Sequence, residues 1–218
     1  YGNSSVTSNV LDTVNLTGAT TASGTLALNI TAADTSTRAT TLTLNMAGGK
    51  VGAITGTQAD LYTTVNVVSS AASTIADVSI DKATTLNVSG AGVTTFTANA
   101  SVLVLATVTS TGGGLSLGTA LGTGVLFTGG TGVETISIGA TTKAITMGAG
   151  NDTVTIGASA LGTAGSVDAG DGTADVLTMT TGNANAASAN GTFETTISGF
   201  ERLSLSDSAA SNSVDLAN

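Results

Sequence analysis

The stretch "GGTGVETISIGATTKAITMGAGNDTVTI", Gly129–Ile156, carries the pattern from which the fold can be read. It contains the same glycine-rich loop twice, at Gly129–Glu134 and at Met147–Asp152. Each loop ends in an acid, and each acid is followed by an alternating run, "TISI" or "TVTI". Alternation puts the apolar residues on one face of a short strand and the hydroxyl residues on the other. The copy between them, "IGATTKAIT", keeps Gly139 and Ile145 but loses the second loop glycine, and Lys143 stands where the acid should be.

The unit is the nonapeptide G-G-x-G-x-D-x-U-x, with U a large apolar residue, which builds a β-roll. "GGTGVETIS" fits it with Gly130, Gly132, Glu134 in place of Asp, and Ile136 as U. "MGAGNDTVT" supplies Gly148, Gly150, Asp152 and Val154. A further copy, "AGDGTADVL", has Gly170, Gly172 and Asp175, with Ala174 inserted. Glycine lets the backbone turn at positive φ, so that carbonyl oxygens can point inward, and the acid adds a charged oxygen. Ca²⁺ takes six to eight oxygens, more than one such loop can provide.

The two acid-bearing loops start two nonapeptide lengths apart. With two strands per coil, that spacing puts them on the same edge of adjacent coils. Gly129–Glu134 and Met147–Asp152 are therefore expected to face each other and hold one Ca²⁺. The copy between them falls on the opposite edge, where Lys143 would repel a cation. Ala169–Asp175 starts four residues later than one more pair of nonapeptides would place it. The four extra residues, within Ser159–Ser166, predict a small outward loop. A second cation is expected between Met147–Asp152 and Ala169–Asp175, with Asp168 and Asp171 as helpers.

Outside this block a shorter motif recurs: apolar, Asn or Ser, apolar. It reads "VNL" at Val14–Leu16, "LNI" at Leu28–Ile30, "LNM" at Leu44–Met46, "VNV" at Val65–Val67 and "LNV" at Leu86–Val88. Asn45, Asn66 and Asn87 are evenly spaced, each a little more than two nonapeptides after the last. Short strands at this period, with Thr before and turn residues after, indicate a solenoid whose coils stack on their neighbours. The predicted fold is all-β: a right-handed parallel β-solenoid with a calcium-binding β-roll section. Of the 29 glycines, 17 lie between Gly112 and Gly172. Three sections follow: coils over residues 1–110, the glycine-aspartate part over 111–180, and further strands over 181–218. No linker separates them, so they can form one continuous body.

Composition narrows the function. The chain has 218 residues, no Cys, His, Trp or Pro, 3% aromatic residues and 9% charged ones. Hydrophobic residues make up 41%, which opposes a disordered linker. A net charge of −9 excludes the phosphate neutralisation on which nucleic-acid binding rests. Without His or Cys, and with no useful Ser-Lys spacing, no catalytic constellation is visible, and an enzyme is not expected. No apolar run approaches the ~20 residues of a membrane-spanning helix. A start at Tyr1 suggests a piece of a longer protein.

The block "GVLFTGGTGVETISIGATTKAITMGAGNDTVTI" with "GSVDAGDGTADVLT" resembles the RTX-type crystalline surface-layer proteins of Gram-negative bacteria, such as those of Caulobacter and Campylobacter. "ADLYTTVNVVSSAASTIADVSIDKATTLNVSGAG" resembles the solenoid ahead of that block, and "GFERLSLSD" the strand after it. The resemblance covers about residues 55–207. It implies export by type I secretion, an extracellular location at the cell surface, and a calcium-dependent two-dimensional lattice whose partner is the protein itself. It also implies anchoring to lipopolysaccharide through a part not present in this chain. Glu134 for Asp and the inserted Ala174 depart from the family pattern. The competing readings are the stalk or binding module of a secreted RTX adhesin and the calcium-binding appendage of a secreted enzyme.

Overall fold

Thr, Val, Ile and Leu in short alternating runs form strands, and glycine, serine or asparagine between the runs turns the chain. The computed structural model shows the result. It describes residues 4–8, 10–17, 26–29, 39–56, 62–80, 82–98 and 105–207. The chain winds as a right-handed parallel β-solenoid with two strands per coil. One sheet stacks β1 (Ser4–Thr7), β3 (Leu26–Asn29), β5 (Gly49–Gly56), β7 (Ser73–Ser79), β9 (Thr94–Phe96), β11 (Leu115–Leu117), β13 (Thr135–Ile138), β15 (Thr153–Ile156), β17 (Val176–Met179) and β19 (Arg202–Leu205). The other stacks β2 (Thr13–Leu16), β4 (Thr41–Met46), β6 (Thr64–Ser69), β8 (Thr85–Ser89), β10 (Thr107–Ser110), β12 (Leu126–Thr128), β14 (Ala144–Thr146), β16 (Ser166–Asp168) and β18 (Ile197–Ser198).

Register turns the alternation into a core. In the second sheet Leu86 lies on Val108, Val108 on Phe127, Phe127 on Ile145 and Ile145 on Val167, all buried. Opposite them stand Ile75, Phe96 and Leu117, then Ile136 and Val154. Two or three apolar side chains from many strands, such as Leu42, Leu44 and Met46 or Ile136 and Ile138, fill so narrow an interior, and each large one contributes roughly 1.5–3 kcal/mol by leaving water. This is why a chain with so few aromatics can still close a core.

Coil length varies, and the register reports it. Thr135 lies on Thr153, a coil of two nonapeptides, whereas the coil from Thr153 to Val176 is five residues longer. Four of the five belong to the outward loop between β15 and β16, where Ala164 turns at φ 64°. The fifth is the inserted Ala174, which falls between β16 and β17. The equal spacing of Asn45, Asn66 and Asn87 does not produce one column. Asn87 Nδ2 donates to Asn66 Oδ1 at 2.9 Å, but Asn66 lies on Thr43, and Asn45 donates instead to Asn15 Oδ1 at 2.7 Å. The "LNI" copy runs out of the described residues at Ile30.

Both sheets continue without a break across residues 110 and 180. The further strands expected over 181–218 include β18 and β19 among the described residues, but helices not foreseen from the sequence come before them. Two helices, α1 (Thr181–Ser188) and α2 (Gly191–Thr196), interrupt the winding between β17 and β18. Alanine is the strongest helix former, and "NANAAS" places Ala184 and Ala187 on one buried face. Thr180 caps α1 by accepting from the Asn183 amide, and Asn190 caps α2 by accepting from the amides of Thr192 and Phe193. Phe193 is buried with them.

Candidate metal centre

The corner where each strand of the second sheet hands over to the next strand of the first is built from the glycine loops. The residue at or just before the start of the odd-numbered strand is buried there. In the middle coils it is Ser73 or Thr94, and in the later ones Glu134, Asp152 and Asp175. Each of those three acids is 0% exposed.

The acids form a ladder through the register. Asp152 Oδ1 accepts the Glu134 amide at 2.7 Å, and Asp175 Oδ1 accepts the Asp152 amide at 2.6 Å. Each carboxylate thus leans toward the coil before its own. The second oxygen of each acid, Glu134 Oε2, Asp152 Oδ2 and Asp175 Oδ2, is buried with no hydrogen-bond partner. A buried carboxylate oxygen left in this way is costly.

Loop carbonyls lie close to two of these oxygens, Glu134 Oε2 and Asp175 Oδ2, and to the paired Oδ1 of Asp152. A Cβ placed on Gly172 would lie 2.3 Å from both Asp175 Oδ2 and the Gly150 carbonyl oxygen. A Cβ on Gly150, at φ +147°, would meet the Gly132 carbonyl at 2.0 Å and Asp152 Oδ1 at 3.2 Å. A Cβ on Gly129 would meet the Met147 carbonyl at 1.8 Å and Glu134 Oε2 at 3.1 Å. Only glycine allows coils to approach this closely, and the approach brings a carboxylate and a neighbouring coil's carbonyl to one place. Gly130, Gly148 and Gly170 stack in the same way: a Cβ on Gly148 would be 2.3 Å from the Gly130 carbonyl, and one on Gly170 1.9 Å from that of Gly148.

Burial pushes the Glu134 carboxyl up to about 7; the hydroxyl of Ser110 opposes the shift and the charge of Asp152 adds to it. Asp152 is also raised, first by burial, against the Glu134 amide and with the charge of Asp175. The acids are strung one per coil rather than gathered. Among the described residues no group of three or more His, Cys, Asp or Glu forms a ready metal cluster. A cation here would take one or two carboxylates and complete its shell with carbonyls, a donor set that suits Ca²⁺.

Other named residues fall outside the column. Asp168 is exposed on β16, and its Oδ1 accepts from the Gly170 amide at 3.2 Å and the Ser198 hydroxyl at 3.1 Å. Asp171 is exposed too; its backbone, not its side chain, ties the loops, donating to Gly148 O and accepting from the Gly150 amide. Lys143 is exposed at the opposite corner. That corner is closed by Thr141 and Thr142, whose hydroxyls donate to the Thr123 carbonyl at 3.3 and 3.0 Å.

Two members of the ladder are not part of the glycine pattern. Glu201 Oε2 accepts the Asp175 amide at 2.8 Å, one coil above, although Glu201 itself is exposed. Ser110, buried, donates its hydroxyl to Glu134 Oε1 at 2.8 Å, one coil below. "ERLSL" repeats the acid-x-apolar-polar-apolar order of "ETISI", so a signal for Glu201 existed in the sequence. Nothing local marks Ser110.

No protein-family model matches this chain, and no curated protein sequence matches it.

Proposed function

We propose that the chain is a structural element: a calcium-stiffened solenoid segment of a self-assembling bacterial surface layer. The observation that supports the calcium reading is the column of buried acids, each with an unpartnered oxygen, those of Glu134 and Asp175 lying near a carbonyl of the neighbouring coil. Carboxylates stacked in a dry corner repel one another and lack solvation. The residues that would hold the ion are Glu134, Asp152 and Asp175, with the carbonyls of Gly132, Met147 and Gly150. A divalent cation supplies charge neutralisation and a bridge between coils. Everything else is supplied by the chain: glycines bring the loops together, amides orient one oxygen of Asp152 and of Asp175, and the apolar columns exclude water.

The consequence is folding coupled to calcium, because binding free energy becomes folding free energy. Extracellular calcium modules bind at about 10⁻⁴–10⁻³ M. Such a chain would remain unfolded through its acidic block in a low-calcium cytoplasm, pass out by type I secretion, and become stiff outside. The surface-layer part of the reading rests on the sequence resemblance, with lateral partners that are copies of the protein and with lipopolysaccharide held elsewhere in the full-length chain. Electron microscopy of the full-length protein tests it. An ordered sheet in calcium that dissolves in chelator is expected; dispersed single particles in both conditions would overturn it.

A further inference from the structure

Glu134 is the lowest acid of the column, and its surroundings differ from those of the other two. Below Asp152 and Asp175 another acid residue offers its amide. Below Glu134 the corresponding coil has Leu115, since Ser116 lies on Thr135. An acid here cannot be oriented by an acid coil beneath it. The structure instead provides a hydroxyl: Ser110, 0% exposed at the end of β10, donates to Glu134 Oε1. The other oxygen, Oε2, remains buried and unpartnered beside Gly129, where the Met147 carbonyl of the coil above also arrives.

We propose that Ser110 is the positioning residue that closes the lower end of the cation column, holding one oxygen of Glu134 so that the other faces the site between Gly129–Glu134 and Met147–Asp152. The extra methylene of Glu then has a purpose. One oxygen must reach down to the last hydroxyl-bearing coil while the other stays level with the loop above. An aspartate, one carbon shorter, cannot serve both ends. This accounts for Glu in place of Asp at the lowest glycine loop, with Asp152 and Asp175 in the two glycine loops above it.

The proposal rests on the calcium reading given above, and the test separates the two. Calcium is titrated calorimetrically into the parent chain, Ser110→Ala, Ser110→Thr, Glu134→Asp and the double variant Ser110→Ala/Glu134→Asp, with melting followed in chelator alongside. Hydrogen-bond partners of metal ligands typically contribute about 10–100-fold in affinity. Ser110→Ala is expected to weaken one calcium site by about tenfold and leave the other unchanged. Ser110→Thr, which keeps a hydroxyl, should restore affinity. Glu134→Asp should weaken the same site, and the double variant should lose little more than either single one, because both break one contact. A purely structural role would lower the melting point in chelator without changing affinity, and that result overturns the proposal. So does parental affinity in Ser110→Ala, or tighter binding by Glu134→Asp. A parent chain that takes up no calcium would overturn the calcium reading itself, and this inference with it.

Discussion

At the scale of the residue, Asp152 has the central place. Its carboxylate accepts the Glu134 amide below, and its own amide donates to Asp175 above. Asp152→Ala is therefore expected to weaken both cation sites, and Glu134→Ala only the lower one. Lys143→Ala, at the far corner, should leave calcium binding as it is. Calorimetric titration of the three variants checks this, and parental binding by Asp152→Ala would refute it. The acids also set a pH dependence. Glu134 is raised from 4.5 to about 7 by burial. Its protonated form is the one the folded state prefers, so its contribution is present in full below the unfolded value and is lost as pH rises through about 7. Asp152 is shifted in the same direction. In chelator, the melting temperature should be higher under mildly acidic conditions, below the Glu134 value, than under mildly alkaline ones. In calcium the order should reverse, because the ion requires the ionised acids. Melts on the two sides of neutrality, with and without calcium, read this directly.

At the scale of the element, the loops matter more than the strands. Apolar strand residues can be exchanged for others of similar volume at modest cost. The glycine columns have no such freedom. Gly150 sits at φ +147°, and a Cβ there would lie 2.0 Å from the Gly132 carbonyl. Gly150→Ala must strain the backbone and push adjacent coils apart, at a cost of about 1–3 kcal/mol for the conformation alone. Gly124 is the control: a Cβ there meets nothing within 4 Å. Thermal melts should show a clear loss for Gly150→Ala and a change within about 0.5 kcal/mol for Gly124→Ala. Equal effects would show that close coil approach is not what these glycines provide.

At the scale of the whole molecule, a solenoid is stabilised between nearest neighbours, so it can open in one section while the rest persists. The coils from β6 to β9 carry buried hydroxyls at the same corner: Ser69 and Thr94 share a 2.7 Å hydrogen bond. The coils over Thr135–Met179 are sealed by acids with unpartnered oxygens. Withdrawal of calcium should loosen the second section first. Limited proteolysis with and without chelator is expected to add cuts between Val125 and Thr180 and leave the strands before Phe96 protected. Identical digests would count against a calcium role for the column.

The sequence by itself determined the parts that depend on local period. Alternation from Thr41 to Met46, or from Thr153 to Ile156, decides which side chains face inward in any strand that forms. The two-nonapeptide phase places Glu134 beneath Asp152, and the four-residue excess before Ser166 has nowhere to go but outward. Tertiary structure alone decided what each side chain meets, because partners come from the coil above or below, and coil lengths are unequal. Asn45 lies on Asn15, and Asn66 on Thr43 beside it, since the coil from Thr43 to Asn66 is two residues longer than the coil from Asn66 to Asn87. Asp168 and Asp171, acids in the same block as Asp175, face water. Ser110 and Glu201 join the ladder from outside the glycine pattern, brought there by the register of β10 with β12 and of β17 with β19. Helix α1 formed where the alanine spacing could bury one face, and α2 where the Asn190 cap starts a turn that buries Phe193, choices that strand alternation does not reveal. A short repeat specifies its own strand and turn. Which coil it stacks on, and so which oxygen is left without a partner, is set by the summed lengths of everything between.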